Sequence, residues 1–182
     1  MSQRMTLDAY LAGEETNRPQ ELAYGLLREP AAPGFQHQLV VGRIYARLDQ
    51  HVRRYNAGQV VASPVDVILD AARALVVQPD IVFISNERLS ICTDRVWGAP
   101  DLAVEVLSTA NRRHDRTTKL RWFRDYGVRE CWLVDPVAHQ IEVVDLTTAG
   151  STPREFAAQQ IVRSAVLPRL RLRPSAVFDT SM

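Results

Sequence analysis

Three acidic residues lie within apolar, strand-like runs, where an unpaired charge is costly. Asp80 stands in Val-Val-Gln-Pro-Asp-Ile-Val-Phe, and Asp101 and Glu105 stand in Pro-Asp-Leu-Ala-Val-Glu-Val-Leu. Asp101 and Glu105 share one face of a strand, but four extended residues separate them by about 13 Å, too far for both to bind one ion. A neighbouring strand is only about 4.8 Å away, so we expect Glu105 to form a metal-binding pair with Asp80.

These carboxylates also have structural explanations. Asp80 and Asp101 each follow a proline and fit a turn at the start of a strand. Turn chemistry accounts well for Asp101, whose role we expect to be structural, with an accessory place in the site as the alternative. Glu105 lies in mid-strand between two valines, where the alternative to a cation is an arginine partner.

The chain contains 21 Arg and a single Lys, Lys119. An ammonium differs from a guanidinium in hydration, geometry and ease of pKa shifting, so a lone Lys suggests a position that needs an amine. The alternatives are an arginine-biased composition with one remaining Lys, or an exposed helical pair with Asp115 worth about 0.3–0.5 kcal/mol.

Two carboxylates and an ammonium suit the hydrolysis of a phosphodiester. A hard cation such as Mg²⁺ accepts two carboxylates, a backbone carbonyl and waters as ligands. The cation polarises the phosphate, generates hydroxide and stabilises the leaving oxygen, while the ammonium offsets the charge that builds on the phosphate. The residue pattern therefore favours metal-dependent hydrolysis.

Other polar residues surround this set. Arg112, Arg113 and Arg116 precede Lys119 and are candidates for contacts with nucleic-acid phosphates, with a solvated helix face as the alternative. Such contacts position a backbone without selecting bases. His37, at the start of a predicted helix, is a candidate accessory residue, although a structural role is the commoner one for a single His.

These residues need elements that position them. Apolar residues at helical spacing predict a long helix over residues 35–55, ended by Asn56-Ala57-Gly58. Shorter helices are predicted over 6–11 and in the segment 108–126, where Ser108 to Asn111 supply the capping residues and Gly127 ends the helix. Strands are predicted in the runs 21–28, 59–62, 65–69, 75–85, 101–107, 131–134 and 140–146, and the tail through residues 166–168 and 170–172 is expected to form a strand and a short end segment. This order indicates an α/β fold with a mixed sheet flanked by helices and one parallel strand pair across the 108–126 helix.

The composition limits the class of protein. The 182 residues fit one compact domain, and the net charge of +1 excludes a globally basic nucleic-acid coat. Cys92 and Cys131 stand far apart without zinc-site spacing, which fits a reducing cytoplasm. No apolar run approaches the roughly 18 residues of a membrane helix, so we expect no membrane partner and a cytoplasmic location.

Several segments together resemble the bacterial Uma-two family of endonucleases in the PD-(D/E)XK superfamily. Weaker upstream features are Glu21-Leu22, Gly25 and His37. The main matching segments are residues 77–83, 99–108, 115 with 119–120, and 127–136.

The resemblance implies a restriction-endonuclease-like domain over residues 1–182, with a core at about 21–146 and a central mixed sheet. It implies that Asp80 and Glu105 bind Mg²⁺, with Mn²⁺ as the alternative. The superfamily's usual lysine position, two residues after the acid, holds Leu107, and the family pattern places the amine at Lys119 instead.

DNA is the implied substrate, and a homodimer is a further expectation, because many nucleases of this superfamily pair to cut two strands. The rival interpretations are a non-catalytic nucleic-acid- or partner-binding domain on the same fold and an RNA-directed nuclease.

Overall fold

The computed structural model describes residues 4–13, 16, 18–108 and 114–179. Within them, α-helices cover α1 (Leu7–Leu11), α2 (Phe35–Tyr55), α3 (Leu120–Tyr126) and α4 (Ser175–Phe178), with a 3₁₀-helix over Asn86–Ile91 and a π-helical turn over Asp115–Lys119. The strands are β1 (Glu21–Ala23), β2 (Leu26–Arg28), β3 (Gly58–Ala62), β4 (Val67–Asp70), β5 (Leu75–Val77), β6 (Ile81–Ser85), β7 (Val96–Trp97), β8 (Leu102–Val106), β9 (Glu130–Asp135), β10 (Gln140–Asp145) and β11 (Arg154–Ala157).

The strands form two sheets. The larger has the order β11-β10-β9-β8-β6-β3, and the smaller has the order β2-β1-β5-β4-β7. In the larger sheet β8 and β9 are parallel and the other pairs are antiparallel, which confirms the predicted mixed sheet with a parallel pair across a helical crossover. The smaller sheet was not predicted, and its β4 and β7 form a second parallel pair.

Side-chain alternation along the larger sheet divides the apolar core into two layers. Ile81 and Phe83 of β6 pack on the side of α2 and the C-terminal segment. Val82 and Ile84 of the same strand point to the opposite side, toward the smaller sheet and α3. A third cluster lies between the outer face of the smaller sheet and α1. The space between the two sheets is therefore filled from both sides.

Helix α2 has the predicted bounds because its apolar residues recur on one face. Ile44 and Leu48 are fully buried against the larger sheet. Asn56 ends the helix in the left-handed conformation, at φ 46°, and its N–H donates to the carbonyls of the last turn. This helix holds His37 in its first turn, beside the strands that carry the candidate acids.

Two predicted strands are each divided, and a third is wrong. Residues 21–28 form a hairpin, because Tyr24 and Gly25 both adopt positive φ and turn the chain. The run 75–85 is broken at Gln78–Asp80, since Pro79 has no N–H for a ladder, and the chain there passes from the smaller sheet to the larger. Residues 166–172 form no strand, whereas Arg154–Ala157 pairs with β10.

Two further features concern the cysteines and the helices. Cys92 and Cys131 are both free thiols. No helix in the described part of the chain is long and apolar enough to cross a bilayer.

Asp101 anchors the start of β8. Its carboxylate is fully buried, accepts the N–H of Ser85 at 2.8 Å, and lies 3.1 Å from Arg129 and 3.5 Å from Arg88. Burial by itself raises the pKa of this carboxyl, but the Ser85 hydrogen bonds and the two arginines outweigh burial and hold the pKa below its ordinary value. This side chain therefore joins β6, β8 and β9 at the end of the sheet away from Glu105.

Asp101→Asn is expected to lower the free energy of unfolding by about 1–3 kcal/mol at pH 7, because the amide cannot hold both arginines and the Ser85 N–H. A lowered folded pKa stabilises the protein above the unfolded value of about 3.9, and this stabilisation is lost as the pH falls through the folded pKa. Urea unfolding should therefore show the difference from wild type shrinking below about pH 4. The exposed Asp125→Asn is the control, and equal stability of Asp101→Asn and wild type at pH 7 would contradict the anchoring role.

Candidate active site

The pairing of β6 with β8 brings two of the predicted site residues together. Ile81 lies opposite Val104, so the preceding Asp80 lies beside Glu105. The Asp80 carboxylate accepts the N–H of Val106 at 2.7 Å, which fixes it against the edge of β8. The expectation that these acids occupy adjacent strands therefore agrees with the geometry.

Lys119 meets Glu105 on the side of the sheet that faces the smaller sheet and α3. Val104 and Val106 pack toward α2, so Glu105 between them points the other way. The Lys119 Nζ atom lies 2.6 Å from Glu105 Oε1, and both residues are 4% exposed. The strand carboxylate and the helical amine thus form one buried ion pair.

The strand position where the superfamily usually has its lysine is used for packing. Leu107 is 3% exposed and belongs to the apolar cluster between the two sheets. The amine reaches Glu105 from the other direction, out of the π-helical turn that precedes α3. The structure thus provides an ammonium beside the strand acid even though Leu107 occupies the usual position.

The π-helical turn buries both of its titratable ends. Asp115 is 5% exposed and Lys119 is 4% exposed, so the alternative of a surface helical pair is wrong. Single π-helical turns are rare and often occur at functional sites. Both side chains line the same cleft as Glu105.

The cleft has a volume of about 660 Å³ and an acidic floor. Its lining includes Glu21, Asp80, Glu105 and Asp115 together with Lys119. Glu21, from β1 of the smaller sheet, approaches Lys119 with an oxygen 2.9 Å from Nζ. Glu105, Glu21 and Asp115 therefore act together on the one ammonium, and Asp80 lies beside Glu105.

The charges in the cleft shift one another's pKa values. Burial raises the pKa of Glu105; Lys119 opposes this shift, and Asp115, Asp80 and Glu21 add to it, leaving the pKa well above its ordinary value. Burial lowers the pKa of Lys119, but Glu105, Glu21 and Asp115 outweigh burial and raise it, so the amine stays an ammonium. The cleft thus has an excess of negative charge that its own lysine does not neutralise.

His37 approaches the site from α2. Its Nε2–H donates to the carbonyl of Val106 at 2.9 Å, and the same nitrogen is 3.4 Å from Asp80 Oδ2. Burial lowers the pKa of this imidazole, but the Asp80 carboxylate and the Val106 carbonyl outweigh burial and raise it above the ordinary value. His37 therefore lies next to Asp80, as an accessory residue would.

The remaining candidates lie elsewhere or outside the described residues. Asp101 does not line the cleft, because its carboxylate is used by Ser85 and two arginines at the other end of β8. Arg116 also lies outside the lining, and its guanidinium is 2.6 Å from Glu142 of β10. Arg112 and Arg113 lie outside the residues that the structure describes.

Sequence reasoning did not assign a role to Glu21. Its local signal was weaker than that of Glu105, because Glu21 follows the polar Gln20 and only begins the apolar run Leu-Ala. Its closeness to Lys119 depends on how the smaller sheet packs on the larger, which no local pattern encodes.

The donors available in the cleft fit a hard divalent cation. Asp80 and Glu105 offer carboxylate oxygens from adjacent strands, and Mg²⁺ is commonly held by one or two carboxylates with waters completing its shell. Among the described residues, no group of three or more His, Cys, Asp or Glu side chains is arranged to bind a metal. Asp80 and Glu105 therefore suit a cation that takes most of its other ligands from water. The excess negative charge of the cleft also favours a cation there.

Glu105→Gln is expected to raise the melting temperature of the metal-free protein at pH 7.5. The folded pKa of Glu105 is raised, so this carboxyl destabilises the fold increasingly as the pH rises above its ordinary value of 4.5. An amide removes that charge but keeps an oxygen that can accept a hydrogen bond from the Lys119 ammonium, so we expect a rise of roughly 2–4 °C for each kcal/mol gained. Calorimetry in the presence of chelator measures the shift, with the exposed Glu155→Gln as the control. A lower melting temperature for Glu105→Gln would show that the charge stabilises the empty cleft.

Comparison with known proteins shows the family and the fold of the chain. A family model named Uma2 and described as "Putative restriction endonuclease" matches residues 6–175. The crystal structure of a protein described as a putative nuclease belonging to DUF820, from Anabaena variabilis, matches with a TM-score of 0.81 and 18% sequence identity, covering 96% of this chain and 97% of that chain. No curated protein matches the chain. The chain therefore belongs to the Uma2 (Uma-two) family, and its fold is restriction-endonuclease-like.

Proposed function

We propose that this protein is a divalent-metal-dependent endonuclease that hydrolyses phosphodiester bonds in DNA. The observation that carries the proposal is one buried constellation: Glu105 lies beside Asp80 in the strand register and 2.6 Å from the Lys119 ammonium. Two acids on adjacent strands with an amine beside them match the chemistry that phosphodiester hydrolysis needs.

In this proposal Asp80 and Glu105 hold Mg²⁺, with Mn²⁺ as an alternative. A divalent ion held there would polarise the phosphate and activate a water molecule as the nucleophile. The position of the Asp80 carboxylate is fixed by the Val106 N–H, and His37 holds the carbonyl of the same residue. These contacts hold the Asp80 carboxylate in position before substrate binds, as a preorganised site requires.

Lys119 keeps its proton and places a positive charge beside the acids. An ammonium in a recess that excludes most water stabilises negative charge on a phosphate more strongly than it would in bulk solvent. Lys119 is only 4% exposed, so its ammonium lies in such a recess. Lys119 thus acts in the proposal as the electrostatic partner of the reacting phosphate.

Substrate binding needs positive charge outside the acidic floor. We propose that Arg112 and Arg113 contact phosphates flanking the reacting one, since such contacts give affinity without base selection. Arg116 shares its charge with Glu142, so we expect a smaller contribution from it. A cytoplasmic location and a homodimer that cuts both strands complete the proposal.

The first expected outcome is that purified protein cuts supercoiled and linear DNA in the presence of Mg²⁺ or Mn²⁺ and stops when a chelator is added. RNA of the same length is the comparison substrate, and gel analysis of products measures both reactions. Folded protein that cuts no DNA with either metal would contradict the enzymatic proposal. Salt-sensitive DNA binding that is indifferent to chelator and to Glu105→Gln would favour a non-catalytic binding domain.

Lys119→Ala is expected to lower kcat by at least about 10²-fold, because it removes the charge aimed at the phosphate. Lys119→Arg should not restore activity, since a guanidinium is larger and planar and cannot occupy the same buried position. Glu155→Gln, on the exposed edge strand β11, is the control and should cut like wild type. Cleavage by Lys119→Ala at the wild-type rate would remove this residue from the site.

A further inference from the structure

Glu21 comes from a different sheet than the other acids of the cleft. It begins β1 of the smaller sheet and is 5% exposed. The next residue, Leu22, packs on the outer face against α1, so Glu21 points inward, toward the larger sheet. A buried glutamate at this place requires a partner, because a lone carboxylate would be costly to desolvate.

The two oxygens of Glu21 have different partners. Oε1 lies 2.9 Å from Lys119 Nζ, whereas Oε2 lies 3.5 Å from Arg28 Nη1 and 3.7 Å from His114 Nε2. Burial raises the pKa of this carboxyl, but Lys119 and His114 outweigh burial and lower the pKa to about 2. Glu21 is therefore ionised at neutral pH.

Lys119 is consequently held between two carboxylates from opposite sides. Glu105 of the larger sheet is 2.6 Å from Nζ, and Glu21 of the smaller sheet is 2.9 Å from it. A lysine side chain has about 2 kcal/mol of rotamer freedom, which a single contact does not remove. The second carboxylate restricts the ammonium to a position between the two sheets.

The strand that carries Glu21 is itself fixed relative to Asp80. The N–H of Gln20 donates to the Gln78 side-chain oxygen at 3.0 Å, and the Gln78 amide donates to Asp66 at 2.9 Å. Gln78 directly precedes Pro79 and Asp80 in the chain. The position of Glu21 is therefore coupled to the segment that places Asp80.

We propose that Glu21 is a positioning residue of the active site, which holds the Lys119 ammonium in place from the smaller sheet. The effect of Glu21 on catalysis rests on the proposed function, whereas the contact between Glu21 and Lys119 is independent of that function. The smaller sheet, which was absent from the predicted fold, thereby becomes part of the active site.

The single lysine makes a direct test possible. Protein labelled with ¹⁵N-lysine gives one side-chain ammonium signal, which belongs to Lys119 because the chain has no other lysine. In wild type this signal should be visible and exchange slowly with water. Glu21→Gln should shift it and speed its exchange by about tenfold or more, since a charge-assisted hydrogen bond is lost.

The matched control is Glu155→Gln, which makes the same chemical change on an exposed strand and should leave the signal unchanged. Glu21→Asp keeps the charge but shortens the side chain, and it should produce the shift even if the amide variant folds poorly. An ammonium signal and exchange rate identical to wild type in a folded Glu21 variant would overturn the inference.

Activity provides the second readout. If the wild-type protein cuts DNA, the Glu21→Gln variant should have a kcat that is roughly 10- to 100-fold lower. The rise in melting temperature caused by Mn²⁺ should be the same in the variant as in wild type. Loss of the Mn²⁺ shift would make Glu21 a metal ligand and would overturn the positioning role. Wild-type protein that cuts nothing would contradict the proposed function, whereas the ammonium signal would still decide the role of Glu21.

Discussion

The uneven set of charges in the cleft is the constraint on which the surrounding structure depends: three buried carboxylates and the half-buried Asp80 lie around one buried ammonium. Each buried ion costs several kcal/mol in lost hydration unless partners are close and well placed. Lys119 has two partners within 3 Å, and the Asp80 carboxylate has a backbone N–H. Such placement needs rigid elements on every side of the cleft, and the two sheets, α2 and the π-helical turn provide them.

A different structural feature positions each charged residue of the cleft. Asp80 lies where the chain crosses from the smaller sheet to the larger, directly after a proline. Glu105 projects from mid-strand by simple alternation, and Lys119 projects from the helical crossover between the parallel strands β8 and β9. The parallel pairing is thus what brings an amine from a later part of the chain back over the strand acid.

The same charge imbalance relates stability to function. Ionised Glu105 is unfavourable in the empty cleft, because burial and three neighbouring carboxylates raise its pKa. Natural proteins often keep groups at active sites that lower the stability of the empty protein. In the proposed enzyme a divalent cation relieves this repulsion, so metal binding and stability are coupled.

Local patterns were sufficient for the parts of the fold that local chemistry determines. The period of apolar residues predicted the bounds of α2, and the cost of a charge in an apolar strand indicated Glu105 as a candidate from the sequence alone. Pro79 lies inside the run that was predicted as one strand. The change of sheet at this proline depends on distant strands, so the run alone could not show it. The contact of Glu21 with Lys119 and the burial of Asp115 arise from packing between sheets and from one π-helical turn, so spacing along the chain could not reveal them.

The central claim, that Asp80 and Glu105 together bind a divalent cation beside Lys119, is tested most directly by a crystal structure of the protein soaked in Mn²⁺. The account predicts an anomalous peak in the cleft, coordinated by carboxylate oxygens of both residues and by waters, with the Lys119 ammonium adjacent. An ordered Mn²⁺ bound elsewhere, with no peak between these two carboxylates at saturating metal, would contradict it.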